Sequence, residues 1–205
     1  MKIYQRLAEI YPLEKPAFER LEAYVAYLKT WQQKTNLVAP STLSEIWDRH
    51  IADSLQCLAL KPDCHTWLDL GSGGGFPGMV IAIVMADKPE GSVSLIDSNG
   101  KKTAFLRQVN RQVGAKAKIL TGRIEEFHEL DIQPEVVTAR ALTAMPNLLR
   151  LSSPWLLQGA TGLFHKGREY RSELEECVGL WEYDLIDHRS RISDESVLLE
   201  VSNLK

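Results

Sequence analysis

Apolar residues in the first sixty positions recur at spacings of three and four, which is the pattern of amphipathic helices. The clearest apolar face runs over residues 18–31. Thr42 followed by Glu45 has the spacing of a capping box, so a second helix is predicted to begin there and a third to run over about 51–58. Lys61-Pro62-Asp63 then breaks the pattern.

After this break, short apolar stretches alternate with helical segments, which predicts a parallel sheet covered on both faces. Residues 79–86 are apolar throughout and are assigned to a helix, because a crossover between parallel strands needs a dozen or more residues. Segments 181–186 and 197–201 have no room for a helix between them and predict an antiparallel hairpin at the sheet edge. The five stretches predicted as buried strands are 66–70, 92–96, 117–120, 135–138 and 160–164.

The chain is therefore predicted to be an α/β protein of 205 residues with two parts. Residues 1–62 form a small helical region, and residues 63–205 form a domain with a mostly parallel seven-stranded sheet. The net charge of -3 excludes a bulk electrostatic attraction for nucleic acid or membranes, so any RNA contact requires a local basic face.

Cysteine content and hydropathy favour a reducing, cytoplasmic setting. The three cysteines are too few for a disulfide framework, and the absence of a C-x-x-C pair argues against a zinc site. The first residues lack the apolar core of a signal peptide, and the longest apolar run, 79–86, is far short of a membrane span.

The segment Leu68–Gly78 holds most of the chemical information, because five glycines fall between a predicted strand and a predicted helix. Glycines permit positive φ angles and a close approach of ligand to backbone, and the helix N-terminus presents free N–H groups. Ligands of open parallel sheets bind at the carboxyl ends of the strands. The segment is therefore predicted to be a ligand-binding loop.

Two ligands fit this loop on sequence alone. Gly73, Gly75 and Gly78 satisfy the dinucleotide fingerprint G-x-G-x-x-G. Asp69, Gly71, Gly73 and Gly75 instead match the first motif of class I S-adenosylmethionine (SAM) methyltransferases. An acidic residue here suits SAM, which carries a sulfonium and an ammonium cation and has no phosphates to repel.

Two further turns are candidates for contact with a nucleoside. Asp97 ends the second strand, where a carboxylate accepts hydrogen bonds from both ribose hydroxyls of NAD or SAM, although it also suits a helix N-cap. The turn at 121–126 faces the adenine in the methyltransferase fold. Glu125 and Glu126 are equally explained as favourable charges in the first turn of a helix.

Seven segments between residues 24 and 167 carry a more specific signal in combination. The chain resembles the bacterial small-subunit rRNA guanine-N7 methyltransferases, the RsmG or GidB family. Gly74 stands where that family more usually has alanine, and Asn99 and Gly100 also depart from its usual residues. The segments are Trp31–Leu37, Glu45–Leu55, Asp69–Gly78, Asp97–Lys102, Phe105–Val109, Thr138–Ala141 and Lys166–Gly167.

This resemblance implies a Rossmann-like class I fold, SAM as cofactor and N7-methylguanosine in 16S rRNA as product. It implies that SAM lies on Gly71, Gly73 and Phe76, with Asp97 on the ribose. It further implies that Ile124 and Glu125 hold the adenine and that Arg140 lies beside the cofactor. The expected partner is 16S rRNA within the small ribosomal subunit or an assembly intermediate, and the expected state is a monomer.

Guanine N7 carries a lone pair and no proton, so methylation there needs alignment of the substrate rather than a general base. Four residues are candidates for this positioning role. Arg140 suits hydrogen bonding to guanine O6, and an ion pair with a strand-end carboxylate is equally expected from the residues alone. Lys166 suits a phosphate or the base, or it is a solvated charge. Arg123 belongs to a predicted basic face. His50 either reaches the cleft, packs between the two regions or caps a helix.

The predicted basic face comprises Lys101, Lys102, Arg107, Arg111, Arg123, Arg140, Lys166, Arg168 and Arg171. Three alternatives remain open at this point: a SAM methyltransferase of a small molecule or protein, a nicotinamide oxidoreductase, and a SAM-sensing or RNA-binding module without turnover.

Overall fold

The computed structural model describes residues 2–205, so the first residue of the predicted helical region 1–62 lies outside the described residues. Seven segments of helix and turn lie between residues 2 and 113, five before the first strand and two after it. They are α1 (Lys2–Ile10), α2 (Lys15–Gln32), a 3-10 turn (Pro40–Thr42), a π-helix (Trp47–Ala52), α3 (Asp53–Leu60), and then α4 (Gly78–Met85) and α5 (Gly100–Val113) after the break.

The sheet has seven strands in the order β3-β2-β1-β4-β5-β7-β6, and the first five run parallel. β7 is antiparallel to both β5 and β6, which confirms the predicted hairpin at the sheet edge. The predicted fold class, a mostly parallel seven-stranded sheet with helices on both faces, is correct. The strands are β1 (Thr66–Leu70), β2 (Ser92–Asp97), β3 (Lys118–Thr121), β4 (Val136–Arg140), β5 (Thr161–Lys166), β6 (Asp184–Arg189) and β7 (Val197–Ser202).

Residues of every strand except the edge strand β6 enter two different hydrophobic clusters, as expected for a sheet covered on both faces. On one face, Trp67 of β1 packs in a cluster that includes α4, α5 and the N-terminal helices. On the other face, Leu68 packs with α6 (Met145–Leu156). The helical region therefore shares a core with the sheet domain, and the boundary at residue 62 stays a prediction.

The second helix predicted to begin at the Thr42–Glu45 capping box is wrong. The Thr42 hydroxyl donates to the carbonyl of Ala39 at 2.9 Å instead of capping a following helix, and Pro40–Thr42 is a 3-10 turn. The next helical segment, Trp47–Ala52, is a π-helix. Such wide turns are rare and occur often at functional sites.

No helix within residues 2–205 combines the length and the apolar character needed to cross a membrane.

Candidate cofactor and substrate cleft

A cavity of about 640 Å³ opens where β1, β4 and β5 end, at the edge of the sheet where the sequence places its ligand loop. The glycine loop forms one wall, the segment after β4 and the end of β5 form another, and the π-helix contributes a third. Of the predicted site residues, Gly71, Gly73, Phe76, His50, Arg140 and Lys166 line this cavity.

The glycine loop is built from backbone conformations that favour glycine. Gly71 and Gly73 have φ angles of 67° and 56°. A Cβ atom on Gly71 would lie 2.5 Å from Leu142 Cδ1, and one on Gly74 would lie 2.9 Å from the carbonyl oxygen of Leu37. Leu142 and Leu37, which themselves line the cavity, thus pack closely on the loop, and glycine at position 74 suits the close approach of this chain's Leu37.

Asp69 is buried beneath the loop and not on the cavity wall, contrary to the expectation that it faces a cationic ligand. Its side chain accepts hydrogen bonds from the Thr138 hydroxyl at 2.8 Å and from the N–H of Gly78, the first residue of α4, at 3.2 Å. The residue is 1% exposed, and this burial raises its pKa to about 6. Asp69 therefore fastens the start of α4 to two neighbouring strands.

Asp97 fixes the loop from the neighbouring strand. One carboxylate oxygen accepts from the N–H of Gly73 at 2.8 Å and the other from the N–H of Asn99 at 2.7 Å. The alternative role of Asp97 as the N-cap of α5 is wrong, since the cap is Asn99, whose side chain accepts from the N–H groups of Lys101 and Lys102. Each oxygen of Asp97 keeps a lone pair for a further donor.

The predicted adenine turn lies at the end of β3, beside the cavity rather than on its wall. Ile124 is buried in the core, whereas Glu125 is exposed and forms an ion pair with Arg150 at 3.3 Å. Hydrogen bonds that include one to Arg150 hold the pKa of Glu125 below its usual value. Arg123 is exposed and immediately precedes this turn.

Arg140 forms the centre of the cavity wall. Its guanidinium donates to the carbonyl of Arg49 at 2.9 Å and to His50 Nδ1 at 2.5 Å, and it lies 5.1 Å from the centre of the Phe76 ring. The carboxylate of Asp53, the first residue of α3, is 3.5 Å away, so Arg140 has an ion pair on the cleft, although the partner is on a helix and is not the strand-end carboxylate that one alternative expected. Burial lowers the pKa of Arg140, but arginine stays charged in proteins.

His50 is a neutral acceptor for this guanidinium. Its pKa is lowered to about 3, chiefly by burial and then by the charges of Arg140 and Arg49. Because Nδ1 accepts from Arg140, the ring proton is on Nε2, which lies 2.8 Å from the Thr42 hydroxyl oxygen. The π-helix thus links the N-terminal region to the end of β4.

Lys166 is not the solvated charge that one alternative expected. Its ammonium donates to the carbonyl of Thr143 at 2.8 Å and to Glu173 Oε2 at 2.5 Å, and its side chain is largely buried. Glu173 Oε2 also accepts from the N–H of Met145, at the start of α6. Glu173 carries no sequence motif, so its place on the cavity wall was not predicted.

Tyr24 and Asp53 are two further residues that the sequence analysis did not single out for the site. The Tyr24 hydroxyl, in the middle of α2, donates to the carbonyl of Gly74 at 2.5 Å. Asp53 accepts through its backbone carbonyl from His165 Nε2 at 3.1 Å and faces Arg140 with its carboxylate. Both residues are far from the glycine loop in the sequence, so no local sequence pattern indicates that they contact it.

The predicted basic face is divided by the structure. Arg140 and Lys166 are buried, Arg107 donates to the Thr121 hydroxyl, and Arg168 is paired with Glu195. Within residues 2–205, no carboxylate pairs with the remaining members, Lys101, Lys102, Arg111, Arg123 and Arg171. Arg111 lies in the last turn of α5, which leads into the start of β3, so its expected place near the carboxyl ends of the strands is wrong.

The chain is similar to known methyltransferases. The family model described as rRNA small subunit methyltransferase G matches residues 17–191. The protein of that name from Rhizobium johnstonii is 46% identical over 189 residues, which are 91% of this chain and 92% of the relative. A relative of the same name from Brucella anthropi is 43% identical over 98% of this chain and 95% of its own.

Among solved structures, an O-methyltransferase from Bacillus cereus in complex with SAH has a TM-score of 0.58 and 12% identity, covering 97% of this chain and 96% of its own. At that identity the similarity concerns the fold. The family model and the close relatives, by contrast, extend over most of the chain, and this protein therefore belongs to the rRNA small subunit methyltransferase G family.

Proposed function

We propose that this protein is a SAM-dependent methyltransferase that methylates N7 of a guanine in the 16S rRNA of the small ribosomal subunit. The observation that carries the proposal is the cleft itself. A glycine loop with positive φ angles, fixed by Asp97, shares one cavity with Arg140 and Lys166.

The residues present fit SAM. Gly73 leaves the loop backbone open toward the cavity, Gly71 lines the cavity beside Leu142, and Phe76 supplies an apolar surface next to the loop. Asp97 is placed next to the loop with lone pairs suited to two ribose hydroxyls. Ile124 and Glu125 follow the adjacent strand, where the adenine belongs in this fold, and Arg140 lies beside the methionine end.

The chemistry requires alignment and no general base. The lone pair of guanine N7 forms the bond to the methyl carbon while the sulfur–carbon bond breaks and its electron pair stays on sulfur. No proton moves, so the neutral, hydrogen-bonded state of His50 is compatible with turnover. Holding two reactants in line can supply up to about 7–11 kcal/mol of the lowering of the barrier.

In this proposal the substrate is held by groups that donate hydrogen bonds. Arg140 and Lys166 face the cavity and are suited to acceptors of the base, and His50 keeps the Arg140 guanidinium in place. Arg123 is exposed beside the adenine turn and is suited to an RNA phosphate.

The proposed partner is the small subunit or an assembly intermediate, and the protein acts as a monomer in the cytoplasm. The acidic net charge of -3 supports this choice, because it provides no bulk electrostatic attraction for isolated RNA. Affinity for the substrate is expected to fall with increasing salt.

One experiment tests the proposal. The protein is incubated with methyl-labelled SAM and either unmethylated small subunits or naked 16S rRNA, and the labelled nucleoside is identified. We expect N7-methylguanosine, formed faster on subunits. Labelling of a different nucleoside would contradict the guanine-N7 assignment, equal labelling of both substrates would contradict the subunit preference, and no labelling would favour a small-molecule or protein substrate.

A further inference from the structure

We propose that Glu173, acting together with Lys166, recognises the Watson–Crick edge of the target guanine. In this arrangement Lys166 donates to guanine O6, and Glu173 accepts from N1–H and the adjacent N2–H. The inference rests on the proposed function, and it assigns a specificity-determining role to a residue in the last forty positions, where the sequence carries no motif.

The two side chains form a fixed donor–acceptor pair on the cavity wall. The Lys166 ammonium is 2.5 Å from Glu173 Oε2, and both residues line the cavity. Each is held by a second contact, Lys166 by the carbonyl of Thr143 at 2.8 Å and Glu173 by the N–H of Met145 at 2.8 Å. The pair is therefore oriented before any substrate arrives.

Hydrogen-bonding capacity remains on both members. An ammonium has three N–H donors, and two of those of Lys166 are used. Both internal contacts of the Glu173 carboxylate go to Oε2, so within the described chain its Oε1 keeps both lone pairs. A ligand in the cavity thus meets one donor beside one acceptor.

This order of donor and acceptor matches guanine and opposes adenine. Guanine presents the O6 acceptor next to the N1–H and N2–H donors, whereas adenine presents an amino donor next to the N1 acceptor. O6 is also next to N7, on the major-groove edge. A contact of Lys166 with O6 therefore lies next to the atom that is methylated.

The chain connects this pair directly to the glycine loop. Lys166 holds the Thr143 carbonyl, and the preceding residue, Leu142, packs so closely on Gly71 that a Cβ there would lie 2.5 Å away. The base-reading pair and the cofactor loop are thus linked through two consecutive residues.

The positive charge that the base gains during methylation is a further reason for a carboxylate at position 173. Methyl transfer to N7 moves a positive charge onto the purine ring, which makes N1–H a stronger donor. A carboxylate that accepts from this group binds the developing cation more strongly than the neutral base, and only such differential binding accelerates the chemical step.

The test compares guanosine with inosine, which lacks only the N2 amino group, at the methylated position of reconstituted small subunits. For the wild type we expect kcat/KM to be roughly tenfold or more higher with guanosine, from the discrimination that a good polar contact to a base provides. Glu173→Ala should bring this ratio close to one. Glu173→Gln, which keeps a neutral acceptor, should give an intermediate ratio.

Glu175→Ala is the matched control, because Glu175 is exposed on the same short helix, α7 (Tyr170–Glu175), and does not line the cavity. It should keep the wild-type ratio. Binding of S-adenosylhomocysteine, measured by calorimetry, should be unchanged in Glu173→Ala, because the hydrogen bonds of Glu173 go to Lys166 and Met145 and none goes to the glycine loop.

A purely structural role of Glu173 at the start of α6 would lower the rates with guanosine and inosine equally. An unchanged ratio in Glu173→Ala would therefore overturn the inference even if turnover fell. Failure of the wild type to form N7-methylguanosine on ordinary subunits would instead refute the proposed function, so the two failures are distinguishable.

Discussion

Replacing Tyr24 by phenylalanine tests how strongly the N-terminal helices determine the shape of the cofactor loop. The Tyr24 hydroxyl donates to the carbonyl of Gly74 at 2.5 Å, and both residues are buried, Tyr24 completely. No other donor in residues 2–205 reaches this carbonyl. The substitution keeps the ring and removes only the hydroxyl.

The expected loss of stability follows from the carbonyl group that the substitution leaves without a hydrogen-bond donor. An unsatisfied buried polar group costs about 1–3 kcal/mol, and the Gly74 carbonyl becomes such a group in Tyr24→Phe. With a urea m-value of about 2 kcal/mol/M, a loss of about 2 kcal/mol lowers the unfolding midpoint by about 1 M. Because the loop is less restrained, we also expect weaker binding of S-adenosylhomocysteine.

Urea unfolding followed by tryptophan fluorescence, together with calorimetry, measures both effects. Tyr27→Phe is the matched control, since Tyr27 lies one turn away on the same helix and its hydroxyl has no hydrogen-bond partner in residues 2–205. The reasoning is refuted if Tyr24→Phe unfolds at the wild-type midpoint, or if the control is destabilised to the same extent.

Three further predictions concern charged residues in and around the cleft. Burial raises the pKa of Asp69 from 3.8 to about 6, so the folded state binds this proton more tightly than the unfolded chain. The free energy of unfolding of the wild type relative to Asp69→Asn should therefore fall by about 3 kcal/mol as pH rises from about 4 to about 6, and a flat difference in urea titrations would contradict this. Arg140→Lys should lower kcat on subunits by roughly tenfold or more, because one ammonium cannot reproduce the planar guanidinium that donates to His50 and the Arg49 carbonyl. Turnover at the wild-type rate would exclude a role of Arg140 in positioning the substrate. Arg123→Ala should weaken subunit binding and reduce the salt slope of binding by about one, while Lys15→Ala, at the far end of α2, should leave the slope unchanged; equal slopes in both variants would remove Arg123 from the RNA contact.

Features of the fold that depend on residues close together in the sequence were predictable. The strand positions, the helical nature of 79–86 and the late hairpin followed from apolar runs, connection lengths and turn residues, and the structure confirms them. The helix start predicted from the capping-box spacing at Thr42 is wrong, because the Thr42 hydroxyl donates to the Ala39 carbonyl and contacts His50 Nε2 instead of capping a helix.

The direction and partners of the polar side chains were not predictable in the same way. Asp69 was expected beside a cationic ligand, yet it is buried against Thr138 and the start of α4. Its partner lies 69 positions away, on a neighbouring strand. Register across a parallel sheet sets such contacts, and no local pattern encodes it.

The sequence by itself determined the architecture, the ligand loop and the family, because periodicity, glycine spacing and segment order are local properties of the chain. Only the tertiary structure decided which charges are available for a ligand. The contacts of Arg140 with His50, of Lys166 with Glu173 and of Tyr24 with Gly74 arise when distant elements pack together. Burial and hydrogen bonding then set the protonation and orientation of each group, and these are consequences of packing.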